Sequence, residues 1–92
     1  MTERLQRNAD IVNQRGLHAR ASAAFARDAA KFDASVTVTI DGMSANAISI
    51  MDLLMLGARM GQTICIEAEG REAAEALDAL CDLVARKFDE ED

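Results

Sequence analysis

Ser35-Val36-Thr37-Val38-Thr39-Ile40, followed at once by Asp41-Gly42-Met43, is the stretch that decides the fold. Val36, Val38 and Ile40 alternate with Ser35, Thr37 and Thr39, the period-two pattern of a strand with one buried and one wet face. Asp-Gly after such a run is a strong short-range hairpin signal, because both turn positions need a positive φ. A short second strand is expected at Met43 to Ala45. Strands with one apolar and one polar face belong to an antiparallel sheet covered on a single side.

The neighbouring segments fit that frame. Thr63 to Glu69 repeats the alternation, with Ile64, Ile66 and Ala68 inward and Cys65, Glu67 and Glu69 outward; Gly70 breaks it. Residues 4–12 place Leu5, Ala9 and Ile11 on one phase, interrupted by Arg7, and form a weaker first strand. Between these lie helical spacings. Ala21, Phe25, Ala29 and Phe32 share a face over 19–32, with Arg20, Arg27 and Lys31 together on another. Ser49 opens a short helix, with Asp52 three residues on as in a capping box, and Gly57 suits its end. Ala73, Leu77, Leu80, Val84 and Phe88 define a last helix over 71–88, with 89–92 as a frayed acidic tail. The expected fold class is α+β: a two-layer open-faced sandwich of order βαββαβα, one domain over 1–92, with three helices on one face of a four-stranded antiparallel sheet.

Composition excludes several functions. The 92 residues carry a net charge of -6, with 10 basic against 16 acidic side chains, and contain no Trp and no Tyr. Nucleic-acid binding calls for a basic face and stacking rings, so that class is set aside. Cys65 and Cys81 stand sixteen apart without a CxxC or a nearby His, which indicates neither a zinc site nor a redox motif. They are expected on opposite sides of the sheet, unbonded. No apolar run approaches the roughly 18–20 residues that span a bilayer, and the N-terminus lacks a signal-peptide pattern. The expectation is a soluble cytoplasmic protein that holds no metal and no cofactor.

The chemistry concentrates in Gly16-Leu17-His18-Ala19-Arg20. Asn13 to Gly16 is turn material, and helical spacing begins at Ala19, so the only histidine falls at a helix start. Backbone N–H groups there face an anion, and a guanidinium two residues on can pair with phosphate oxygens. A neutral imidazole is a nucleophile. The helix end stabilises a bound phosphoryl group by about 0.3–1 kcal/mol when exposed. Charge-assisted hydrogen bonds add on the order of 1.5–3 kcal/mol each before screening. Sums of this size hold a group without trapping it.

Both Gly16-Leu17-His18-Ala19-Arg20 and Ser49-Ile50-Met51, at their separation, resemble signatures of the histidine-containing phosphocarrier (HPr) family of the bacterial phosphoenolpyruvate-dependent phosphotransferase system (PTS). The likeness runs from about Leu5 to Phe88. It implies that His18 is phosphorylated on Nδ1 with Arg20 assisting, and that Ser49 is a regulatory phosphorylation site as well as a helix cap. It implies docking of partners by Leu17, Ile50, Met51 and Leu54. The partners implied are Enzyme I as donor, an enzyme IIA-type protein as acceptor, and an HPr kinase/phosphorylase at Ser49, the carrier itself being a monomer and no enzyme. Ala21 stands where the family commonly has Pro after the Arg, which points to a regulatory, nitrogen-related (NPr-like) branch. Two rival readings remain: a small-molecule-binding regulatory domain in which His18 is only a cap, and a hydrolase with His18 as nucleophile, for which no general acid is evident.

Overall fold

The computed structural model describes residues 4–90. Its order is β1 (Arg4–Asp10), α1 (Ala19–Ala29), β2 (Ser35–Ile40), β3 (Met43–Asn46), α2 (Ile50–Leu56), β4 (Thr63–Glu69) and α3 (Ala73–Ala85), closed by a short 3-10 turn at Lys87–Asp89. The four strands form one antiparallel sheet in the order β1-β4-β2-β3. With the helices packed on its apolar face, this is the expected open-faced sandwich.

Register explains the one-sided core. Val36 lies opposite Ala68 and Val38 opposite Ile66, while on the far side of β4 Leu5 meets Ala68 and Ala9 meets Ile64. The valines, Ile64, Ile66 and Ala68 are buried, and Leu5 and Ala9 pack against them half-covered. Arg7 shares their phase yet sits on the edge strand, where its guanidinium reaches Asp78 of α3 at 2.6 Å. That hydrogen bond pushes the guanidinium further above its ordinary value. The interruption in the β1 pattern is thus an edge position. The other face stays polar, with Arg4 near Glu67 and Glu69 at 3.7 and 3.9 Å and Thr63 donating to Asp10 at 2.7 Å.

Asp41 and Gly42 take φ of 50° and 81°, so the β2–β3 turn is of the kind with two left-handed residues, whose twist matches that of the strands. On α1, Ala21, Phe25, Ala26 and Ala29 are buried. The small alanines let the helix approach closely, and Phe25 alone contributes about 1.5–3 kcal/mol by burial. The helix ends at Ala29, three residues short of the expected Phe32, which is half-buried just beyond it.

The end of α3 differs from expectation. The helix stops at Ala85, and Lys87, Phe88 and Asp89 have φ of 60°, 56° and 62°. Phe88 is buried as its spacing from Val84 implies, but the chain delivers it by a left-handed reversal. Cys81 packs against the core and Cys65 lies half-buried on β4, both free. Burial raises the Cys81 thiol above its ordinary value despite Arg7 nearby.

Candidate functional site

The site begins with Asn13, whose side chain is fully buried. One Nδ2 hydrogen is donated to the carbonyl of Gly16 at 2.9 Å and the other to Glu90 Oε1 at 2.8 Å. With both amide hydrogens used, the orientation of this side chain is fixed. Gly16 takes φ of 63°, and a side chain on it would run into the backbone of Ala58 and Arg59. Leu17 N–H donates to the Ala58 carbonyl at 3.0 Å. The loop before α1 is therefore stitched to the loop after α2.

His18 is the N-cap of α1, with extended backbone (φ -77°, ψ -176°), and its Nδ1 accepts from Arg20 N–H at 3.3 Å. This is the reach of a capping side chain to the second helical residue. Nε2 lies 2.9 Å from Glu90 Oε2. An ionised carboxylate only accepts hydrogen bonds, so this pairing favours the tautomer with the proton on Nε2 and the Nδ1 lone pair toward the helix. The histidine side chain is 22% exposed. The first turn of α1 has no acidic residue, and Arg20 is exposed with no ion pair among the described residues. A dianion bonded to Nδ1 would meet amide hydrogens and a free guanidinium, with no acid in that turn to repel it.

Ser49 caps α2 one residue further in: its Oγ accepts from the N–H of Asp52, the third helical residue, at 3.2 Å. The return half of the expected capping box is missing, because Ser49 N–H donates to the Asn46 carbonyl at 3.0 Å. Of the residues expected to dock partners, Ile50 and Met51 are exposed, Met51 at 69%, and Leu54 is half-buried. Met55, at 79%, and Ile48 extend the apolar patch.

Leu17 is a correction. It is only 3% exposed and belongs to the core, so it presents no side chain to a partner. Gly16 turns the chain inward, and Leu17 occupies the position just before the cap, where an apolar residue packs under the helix start. Ser22, one turn into α1, donates to the Leu17 carbonyl at 3.1 Å.

The tail is a second correction. Glu90, expected in a frayed end, is half-buried and tied to both Asn13 and His18; residues 91–92 lie outside the described residues. Its sequence separation of 72 from His18 gives no local signal, and Asn13 was legible only as a turn residue. Among the described residues no group of three His, Cys, Asp or Glu stands together as a metal site, and no helix is long and apolar enough to cross a membrane.

A histidine presented at a helix start on a small open-faced sandwich fits one class of protein, the phosphoryl carriers. The comparisons name the family. The family described as "PTS HPr component phosphorylation site" matches residues 5–86, and this chain belongs to it. It is 46% identical to the phosphocarrier protein NPr of Shewanella violacea, over 95% of this chain and 96% of that one. It is 43% identical to the phosphocarrier protein HPr of Cupriavidus necator, over 94% and 97%. The crystal structure of an HPr from Thermoanaerobacter tengcongensis superposes with a TM-score of 0.90 at 40% identity, covering 95% of this chain and 98% of that one. The likeness to an NPr supports an NPr-like branch of the family.

Proposed function

We propose that this chain accepts a phosphoryl group on Nδ1 of His18 from Enzyme I, charged by phosphoenolpyruvate, and passes it to an enzyme IIA-type acceptor in the cytoplasm. The observation that carries the reading is the division of labour on one ring: Nε2 is held by Glu90, and Nδ1 turns its lone pair toward the first N–H groups of α1. In the transfer, that lone pair attacks phosphorus, the Nδ1–P bond forms as the donor's bond to phosphorus breaks, and the leaving atom keeps the electron pair. The Arg20 N–H, loosely engaged at 3.3 Å, is then free to donate to a phosphoryl oxygen. Return of the group to an acceptor runs the same path backwards. Arg20 supplies charge beside the phosphoryl group, which a planar guanidinium can grip through two oxygens.

Ile50, Met51 and Leu54, with Ile48 and Met55 beside them, form the surface for both partners. A contiguous exposed apolar patch marks a protein contact, and flexible Met side chains suit a surface that fits more than one partner. The contact is transient, near the low end of about 1,200 Å². Ser49 lies at the patch's edge, so a phosphate placed there by an HPr kinase/phosphorylase would put charge into the docking surface and act as an off switch. The relay serves regulation rather than sugar import, which Ala21 and the likeness to an NPr support.

The test is incubation with Enzyme I and labelled phosphoenolpyruvate. Acid-labile, base-stable label is expected on the chain and is expected to vanish in His18→Ala. Label that persists in that variant overturns the reading.

A further inference from the structure

We infer that Glu90 is a positioning residue for phosphoryl transfer: delivered by the left-handed Lys87–Asp89 turn and oriented by Asn13, it holds His18 in the tautomer that leaves Nδ1 free. The inference rests on His18 being the phosphoryl acceptor. Three observations converge on it.

The first is the contact itself. Glu90 Oε2 is 2.9 Å from Nε2, and the Glu90 side chain is only 9% exposed although it stands near the chain's end. The second is the anchor. Asn13 donates one amide hydrogen to Gly16 and the other to Glu90 Oε1, so it presents a donor to Glu90 and demands an acceptor in return. The third is backbone geometry. Three successive non-glycine residues at positive φ form a sparsely populated conformation, which persists only where the surroundings hold it. Here buried Phe88 pins the turn, and its exit points Glu90 back at His18.

The consequence for the reaction is definite. Nucleophilic attack uses the Nδ1 lone pair, so a proton on Nδ1 blocks it. With the proton on Nε2 and facing a carboxylate, the ring becomes cationic as Nδ1–P forms, and Glu90 balances that charge. No proton leaves the site; it stays on Nε2, shared with Glu90 Oε2. The leaving group departs with the electron pair of its bond to phosphorus.

Glu90→Gln is the discriminating change. Asn13 keeps the amide oxygen on its own side, which turns the new NH2 group toward Nε2 and favours Nε2 as an acceptor, with the proton moved to Nδ1. Phosphoramidate serves as the donor, because it needs no docking surface. In the starting protein, 15N shifts of His18 should show Nε2 protonated and Nδ1 bare. In Glu90→Gln the Nδ1–H form should grow, and phosphorylation by phosphoramidate should slow about 10–100-fold, the rate equivalent of one charge-assisted hydrogen bond. Glu90→Asp, which keeps the carboxylate, should recover much of the rate; a thermal melt of each variant reports whether the fold is intact. The inference is overturned by an Nδ1–H tautomer in the starting protein, by a Gln variant unchanged in tautomer and rate, or by Asp and Gln variants equally slow. The 15N readout needs no phosphorylation, so a chain that takes no label at His18 would defeat the proposed function and still report on Glu90's hold over the ring.

Discussion

Two helices of this molecule begin on a side chain that accepts from a first-turn N–H, and their surroundings differ. At α1 the cap is His18, the first turn holds no acid, and Arg20 stands beside it. At α2 the cap is Ser49 and the first turn already holds Asp52. The partial positive charge of a helix start is a single resource. At α2 a resident carboxylate sits in that field. At α1 it stays open for an anion that comes and goes. A cap alone therefore does not leave a helix start open to an incoming anion; the absence of an acid from the first turn does.

The sharpest way to break the α1 end is Gly16→Ala. The added methyl would press into the Ala58 carbonyl and approach Arg59 Cα at 2.9 Å, in a left-handed backbone. Left-handed strain of about 1–2 kcal/mol and overpacking of about 1–3 kcal/mol give an expected loss of about 2–5 kcal/mol. Urea unfolding measures it. A loss below about 1 kcal/mol would mean the two loops are not rigidly joined, and that the His18 end tolerates displacement.

Next in size is Arg20→Glu, which makes α1 resemble α2. An acid in the first turn interacts favourably with the helix start, so the fold should gain about 0.3–1 kcal/mol. Phosphoryl acceptance should fall about 10–100-fold, since a charged hydrogen-bond donor is replaced by a like charge. The opposed signs are the point. A variant that loses both stability and acceptance would show that Arg20 supports the fold and not the anion.

Much of this arrangement is legible in the sequence, and the failures share one cause. β2 and β4 have the bounds that alternation implies, because Val36–Ile40 and Ile64–Ala68 each bury one face against neighbours in register. The caps at His18 and Ser49 are also readable, since a cap acts within its own helix turn. Leu17 is not: flanked by Gly16 and His18, it has no periodicity to show which way it points. The tail fails for the same reason at longer range. An acidic run reads as solvated, and only the reversal at Lys87–Asp89 carries Glu90 to His18. Apolar spacing found Phe88 in the core yet could not tell a continued helix from a left-handed turn that puts the same ring in the same place. Local pattern predicts what a residue does within its element; contacts set by a backbone reversal lie outside it.

The smallest expected effect is the mirror of Arg20→Glu. Asp52→Asn removes the acid from the start of α2 while keeping the backbone N–H that donates to Ser49 Oγ. The cap therefore survives, and only the charge interaction goes. Asp52 is exposed, so screening keeps the loss to about 0.3–1 kcal/mol at low salt, and it should shrink as ionic strength rises and the Debye length falls to about 8 Å or less. Thermal melts in low and moderate salt separate this from a structural loss, which salt would leave unchanged. The same variant sharpens the comparison at Ser49. With Asp52 neutral, an acidic side chain in the Ser49→Asp background should be tolerated better than with Asp52 present, because two carboxylates no longer compete for one helix start. Equal cost in both backgrounds would mean that the resident acid does not occupy the α2 field, and the contrast between the two helix starts would rest on Arg20 alone.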